Sequence, residues 1–333
     1  MEKGVGEILK TRVTEILGIQ YPIVQGGLAY LAYAELAAAV SNAGGLGQIT
    51  AATLRTPEKL RDEIRKVRAL TDKPFGVNFA IARHDGNYQD LLEVAIEEKV
   101  SAISITGANP QPVLERLSGE NIKTLVLVAG VRQAQKAEEL GADMVMVVGQ
   151  EGGGHLGREE IGTIVLTPRV VDSVSIPVLA SGGIGDGRGF LAAFALGAEG
   201  IEMGTRFIAT QECVHANEKY KQAILDGKET DTVVIKKTIG APARALKSEF
   251  TLDIVEREKA GATYEDLKNI ISGKANCEYI YEGKEENGYG WAGQVIGLIN
   301  DIPTVQELFD EMIHTAVKGL NRIDHMIEER THI

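Results

Sequence analysis

Short apolar runs recur along the chain, each ending in a glycine or polar turn and each followed by a longer stretch with helical spacing. The runs fall at residues 21–25, 46–49, 75–78, 102–105, 124–128, 144–148, 177–180 and 200–203. None shows polar alternation, as expected of strands buried on both faces. The intervening helices are predicted at 33–43, 57–70, 88–99, 110–117, 131–140, 165–174 and 188–196. Thr56 and Pro57 supply an N-cap and a first helical position, and Gly44-Gly45 and Gly141 supply helix stops. Alternation of this kind gives parallel strands joined by right-handed crossovers. The count favours a closed α/β barrel, the TIM (β/α)8 fold, over a doubly wound open sheet.

Past Thr205 the rhythm changes. Residues 211–293 are charged and helix-rich, clearest at 217–226 and 248–260, with one short strand expected at 278–281. This predicts a smaller helical domain inserted over the carboxyl-terminal face of the barrel. An amphipathic helix at 304–320 is expected to dock back on the barrel wall. The organisation is therefore a barrel at 1–210, a helical lid or substrate domain at 211–293, and a returning C-terminal segment at 294–333.

Composition narrows the function classes. The hydrophobic share of 44% and charged share of 25% are those of an ordinary globular chain. A net charge of −12 argues against nucleic acid and against an anionic membrane surface as partners. Cys213 and Cys277 have no metal-ligand spacing and suggest a reducing compartment. The acidic opening at residues 1–7 lacks the apolar core of a signal peptide, and no run reaches membrane-spanning length. The expectation is a cytoplasmic protein acting on a small-molecule substrate, with a homodimer left open.

Chemistry belongs at the carboxyl ends of the strands. The richest end is Val148-Gly149-Gln150-Glu151-Gly152-Gly153-Gly154-His155-Leu156-Gly157, where consecutive glycines allow close approach of a ligand and His155 offers a proton-transfer or substrate-orienting group. Ser181-Gly182-Gly183 and Met203-Gly204-Thr205 end the seventh and eighth runs, the place where such barrels hold a phosphate on backbone N–H groups. Gly26 and Gly27 would let the chain lie flat against a ring, and Asn78 could bond its heteroatoms. Glu151 and His155 have no third metal ligand at hand, so no metal is expected. The glycine spacing at 183–187 follows a late strand, not the first, and is not a dinucleotide fingerprint. His84, His215, His314, His325 and His332 lack a comparable setting and are expected at the surface.

At these residues the sequence resembles the nitronate monooxygenase (2-nitropropane dioxygenase) family, with its FMN-dependent enoyl-acyl-carrier-protein reductase II and NADH:quinone reductase relatives. The resemblance rests on Pro22-Ile23-Val24-Gln25-Gly26-Gly27-Leu28, Ala43-Gly44-Gly45-Leu46-Gly47, Lys73-Pro74-Phe75-Gly76-Val77-Asn78, Glu151-Gly152-Gly153-Gly154-His155-Leu156-Gly157, Ser181-Gly182-Gly183-Ile184, Met203-Gly204-Thr205-Arg206-Phe207 and Trp291-Ala292-Gly293-Gln294. It implies non-covalent FMN. Gly26, Gly27, Leu28 and Asn78 would contact the isoalloxazine, Gln150, Gly153 and Gly154 would line the same pocket, and Ser181, Gly182, Gly183, Met203, Gly204 and Thr205 would hold the ribityl phosphate. His155 matches the family's active-site histidine, and the segment from Trp291 to Gln294 would close the substrate side.

Within the family the branches divide. The stretch from Asn287 to Gln294 is similar to the quinone reductases, although Val126-Leu127-Val128 lacks the lysine of that branch, and Gly152-Gly153-Gly154-His155 is similar to the enoyl reductases. The leading expectation is oxidation of alkyl nitronates with oxygen to a carbonyl compound and nitrite. The alternative is an FMN enzyme reduced by NAD(P)H that passes electrons to a quinone or an enoyl thioester, with Lys236, Lys237, Arg244 and Lys247 as candidate nucleotide partners. A barrel binding a phosphorylated metabolite without redox chemistry is the minor alternative. A purely proton-abstracting His155 would matter more for neutral nitroalkanes than for preformed nitronates.

Overall fold

In the computed structural model, residues 10–81 and 88–331 are described; residues 1–7, His84 and His332, on which expectations were placed, lie outside them. The strands are β1 (Ile23–Gln25), β2 (Gly47–Thr50), β3 (Phe75–Ile81), β4 (Ala102–Gly107), β5 (Lys123–Val128), β6 (Met144–Val148), β7 (Gly154–His155), β8 (Val178–Ser181), β9 (Gly200–Met203), β10 (Thr232–Ile235) and β11 (Ala243–Leu246). Eight of them form one parallel sheet in the order β1-β9-β8-β6-β5-β4-β3-β2. A parallel bridge between Val24 and Leu46 joins its two ends, so the sheet closes on itself as a TIM barrel.

That closing seam has few ladder bonds, and two side chains extend it. The Gln25 amide donates to the Gln48 carbonyl at 2.9 Å, and the Gln48 amide donates to the Gln25 carbonyl. Both glutamines are buried, so each replaces strand pairing that would otherwise leave backbone groups unsatisfied.

The barrel interior carries Val24, Leu46, Leu125, Met144, Met146 and Leu179, and the short helix Arg12–Leu17 packs Val13 and Leu17 beneath them. Burial on both faces explains the absence of alternation in these strands. Outside the barrel, the helix Pro57–Leu70 begins with Thr56 accepting from the Lys59 N–H and with proline at its first turn. The last helix, Val305–Thr331, runs past the expected end at 320 and packs against Gly187–Ala195. A Cβ at Gly187 would sit 2.2 Å from the Met312 carbonyl, so the glycine sets how closely the two helices approach.

The segment over the barrel mouth is not purely helical. Its helices Glu218–Asp226, Glu249–Lys259 and Gly273–Glu282 frame a hairpin of β10 and β11, and β11 pairs antiparallel with β7 from the barrel loop. The expected strand at 278–281 lies inside the helix Gly273–Glu282, whose Ser272 side chain accepts from the Ala275 N–H. The cap and tertiary packing override the strand preference of Tyr279, Ile280 and Tyr281. Ala243-Arg244-Ala245-Leu246 carries no β-branched residue and is a strand because two partners flank it. Ile235, Ala245, Ile254, Ala275 and Tyr289 form the core of this segment.

Candidate active site at the barrel mouth

The expected site residues meet at the carboxyl ends of the barrel strands. Gly26 donates to the Met203 carbonyl at 2.8 Å, joining the turns after β1 and β9. Gly27 lies against Asn78, because a Cβ there would stand 2.3 Å from the Asn78 Cγ. Asn78 is within β3, three residues before its end, and is buried. Its amide donates to the Ser104 hydroxyl at 2.9 Å, and that hydroxyl donates to Gln48 at 2.5 Å. A layer of uncharged polar groups therefore caps the apolar interior.

Ser181 ends β8, and Gly182 and Gly183 follow it. Gly182 and Gly183 have φ of 90° and 77°, the left-handed region, so side-chain-bearing residues would be strained there. Thr163 fastens this turn to the histidine loop. Its hydroxyl reaches the Gly182 carbonyl at 2.9 Å and the Glu151 carboxylate at 3.0 Å, and its N–H donates to the same carboxylate. Glu151 thus serves as a loop fastener. Met203 is a backbone participant only, since its side chain packs in the layer between barrel and helices. The Thr205 hydroxyl accepts from the Gly293 N–H at 2.9 Å, tying down the returning segment.

His155 does not sit on a free loop. It forms β7 with Gly154, opposite Ala243 of β11, and the following Leu156 N–H donates to the Pro242 carbonyl at 2.9 Å. Gly153 is pinned by the segment from the other side, where a Cβ would stand 2.6 Å from the Gly293 nitrogen. The imidazole lies 6.2 Å from the Trp291 ring, tilted by 35°. Surrounding protein, and then the Lys236 ammonium, push the His155 pKa down to about 4. His155 is therefore neutral at pH 7. The residue keeps contact with solvent.

Glu202 and Thr50 add to the mouth without having been singled out from the sequence, and Arg244, expected as a nucleotide partner, is bonded within the protein. Glu202 of β9 faces Gly26, whose Cβ would meet its carboxyl oxygen at 2.3 Å, and the Ser181 hydroxyl donates to it. Burial pushes the Glu202 carboxyl up, against the opposing effect of that hydroxyl, and keeps it neutral to higher pH. Thr50 ends β2 opposite Asn78, and its buried hydroxyl has no hydrogen-bond partner among the described residues. Two-residue alternation from Leu46 and Gln48 points Thr50 inward, which is the signal that would have found it. Arg244 of β11 donates to the Gln150 carbonyl at 2.9 Å and to Thr232 at 3.0 Å. Of the other histidines, His215 is half-buried against Tyr33 with ring centroids 4.0 Å apart, and is not a plain surface group.

These groups fit a flat, polar-edged cofactor with an anionic tail. An orphaned hydroxyl and a buried amide line the floor, and a left-handed diglycine turn stands where such barrels hold phosphate. Two hollows elsewhere, of about 220 Å³ beside Tyr279 and Tyr289 and about 590 Å³ below Leu17 and Ile122, touch none of these residues.

The sequence pattern of the nitronate monooxygenase family matches residues 10–91 and 80–315. The chain belongs to this family. A probable nitronate monooxygenase of Staphylococcus saprophyticus is 34% identical, over 94% of this chain and 99% of its own. An indene-carboxyl-CoA dehydrogenase of Mycobacterium tuberculosis, acting on a hydroxy-methyl-oxo-octahydroindene thioester by its name, is also 34% identical, over 96% and 99%. Among solved structures, FabK from Thermotoga maritima superposes with a TM-score of 0.90 at 38% identity, covering 95% of this chain and 99% of that one. Nitroalkane oxidase from Streptomyces ansochromogenes gives 0.80 at 28%, covering 92% and 99%. This nitronate monooxygenase family member is thus an oxidoreductase of a flavin-dependent group, which displaces the non-redox reading. No helix among its described residues is long and apolar enough to cross a membrane.

Proposed function

We propose that the chain binds FMN across the strand ends and oxidises alkyl nitronates with oxygen, breaking the carbon–nitrogen bond to release nitrite and leave a carbonyl compound. The observation that carries this reading is the placement of His155, an imidazole held at the mouth by its pairing with β11, with its basicity lowered by the surrounding protein and Lys236. A group of lowered basicity is a poor base for a neutral nitroalkane. It is suited to donating a hydrogen bond to an oxygen that already bears charge. Gly26, Gly27, Leu28 and Asn78 would hold the ring, beside Gln150, Gly153 and Gly154. The turns Ser181-Gly182-Gly183 and Met203-Gly204-Thr205 would hold the phosphate through backbone N–H groups. FMN, when bound, supplies the electron transfer between substrate and oxygen. The protein's own residues orient the nitronate and exclude water above the polar floor.

The test is oxygen consumption by yellow, FMN-loaded protein with propionate 3-nitronate, compared with free FMN. Turnover above that background is expected, and none would sink the reading. In His155→Ala, FMN should remain bound and turnover should fall about 10- to 100-fold, the weight of one hydrogen bond to a charged group. The loss should be no larger for neutral nitroalkane. A larger one would make His155 a base.

One observation favours a second reading, a flavin reductase fed by NAD(P)H: the likeness to FabK, an enoyl-acyl-carrier-protein reductase II, is higher than that to nitroalkane oxidase in both identity and TM-score. Anaerobic mixing with NADH and NADPH separates the two, because bleaching of the flavin by either nucleotide would favour the reductase.

A further inference from the structure

The segment over the mouth carries the four cations named from the sequence, and they have different employment. Lys237 pairs with Glu160 at 2.5 Å on the surface, and exposed Lys247 lies beside the small hollow away from the site. Arg244 is spent on Gln150 and Thr232. Lys236 is 8% exposed, and among the described residues its ammonium has neither a hydrogen bond nor an ion pair. It stands 4.7 Å over the centre of the Trp291 ring, which also has the Tyr289 ring edge-on at 4.8 Å and the His155 imidazole at 6.2 Å.

A buried cation without a paired anion costs folding free energy. Its placement is also held by force. Lys236 has φ of 62°, a region that side-chain-bearing residues seldom occupy. The Glu258 carboxylate fixes that turn, accepting from the N–H of Lys236 at 2.9 Å, the N–H of Thr238 at 3.0 Å and the Thr238 hydroxyl at 2.9 Å. Glu258 is thereby satisfied by the backbone, and the ammonium remains available. Burial pushes the Lys236 pKa down to about 8, opposed by Glu258, and the group remains mainly charged at neutral pH. In a chain of net charge −12, this is a strained, buried positive charge beside the proposed catalytic imidazole.

We propose that Lys236 is a further substrate-binding residue, whose ammonium over Trp291 receives the oxyanion of the substrate head group beside His155. On the reading given above, the ligand class is a small planar oxyanion, the nitro oxygens of a nitronate. The cation–π contact orients the ammonium without neutralising it. His155 donates one hydrogen bond and Lys236 supplies the full charge. Glu258 is a positioning residue that acts through the turn.

Nitrate, a planar oxyanion that cannot turn over, is the probe. The chain has one tryptophan, so Trp291 reports on this site alone. Saturable quenching of its fluorescence by nitrate, and a flavin difference spectrum at the same concentrations, are expected in wild type. Lys236→Met should weaken nitrate about 10- to 100-fold, the range for a lost charge-assisted hydrogen bond. Lys236→Arg should recover most of that loss. The KM for propionate 3-nitronate should rise in Lys236→Met far more than kcat falls. Equal nitrate affinity in wild type and Lys236→Met overturns the proposal, as does a loss of affinity that arginine fails to restore. Quenching of Trp291 is read in protein with or without flavin. Colourless protein would therefore defeat the FMN reading while still testing Lys236.

Discussion

Glu202 decides how much negative charge the floor of the site carries. It lies one residue before Met203 and is bonded by Ser181, so it borders both turns assigned to the phosphate. Its pKa is raised in the folded chain, so the carboxyl is neutral at low pH and ionises only as pH rises through that raised value. The sign follows directly. Ionisation puts a second anion beside the phosphate and also removes the stability that the neutral form contributes. FMN affinity of the apoprotein should therefore weaken with rising pH, and Glu202→Gln should hold it flat. Fluorescence titration with FMN across the pH range measures this, and parallel profiles for the two proteins would refute it. Glu202 was legible in principle, since it sits on the same face of β9 as Gly200. It carries no motif, however, because a lone glutamate in a strand has no spacing to mark it beside the glycines.

The turn from Gly149 to Gly153 is the joint between the barrel and the segment over its mouth. Gly153 packs against the Ala292–Gly293 backbone, and the Gln294 N–H donates to the Glu151 carbonyl at 2.9 Å. Gly153→Ala would place a methyl 2.6 Å from a backbone nitrogen, which cannot yield as a flexible side chain would. The variant should fold, but with the returning segment displaced, Trp291 emission shifted to the red and the lid cut faster by protease. Unchanged emission and unchanged proteolysis would show that the joint tolerates the methyl. This joint also marks where sequence reading stopped. The eight barrel strands were readable because runs buried on both faces look alike and their helices carry caps. The hairpin of β10 and β11 was not, because Ala243–Leu246 has no strand propensity of its own and takes its form from β10 and β7. His155 was found, but a histidine after three glycines reads as mobile, and only the pairing with β11 makes it fixed.

The C-terminal helix completes the barrel wall. Phe309 is fully buried, with ring centroids 6.3 Å from Phe207 and 6.1 Å from Tyr21, and it meets Gly45, whose Cβ would stand 2.8 Å from it. Phe309→Ala removes a ring that three separate chain segments share. A cost of about 3–5 kcal/mol is expected, read as a lower thermal midpoint, with an unchanged midpoint as the contrary outcome. The same helix follows directly on the segment that leaves and rejoins the barrel within a short distance: Thr205 holds Gly293 at the rejoining point, and Arg206 pairs with Asp301 at 3.0 Å just beyond it. An excursion of this length that starts and finishes at one spot is a cassette. Evolution can lengthen it, trim it or trade it for another without disturbing the strands beneath. The floor that we propose for FMN can thus keep its form while the wall above it is refitted.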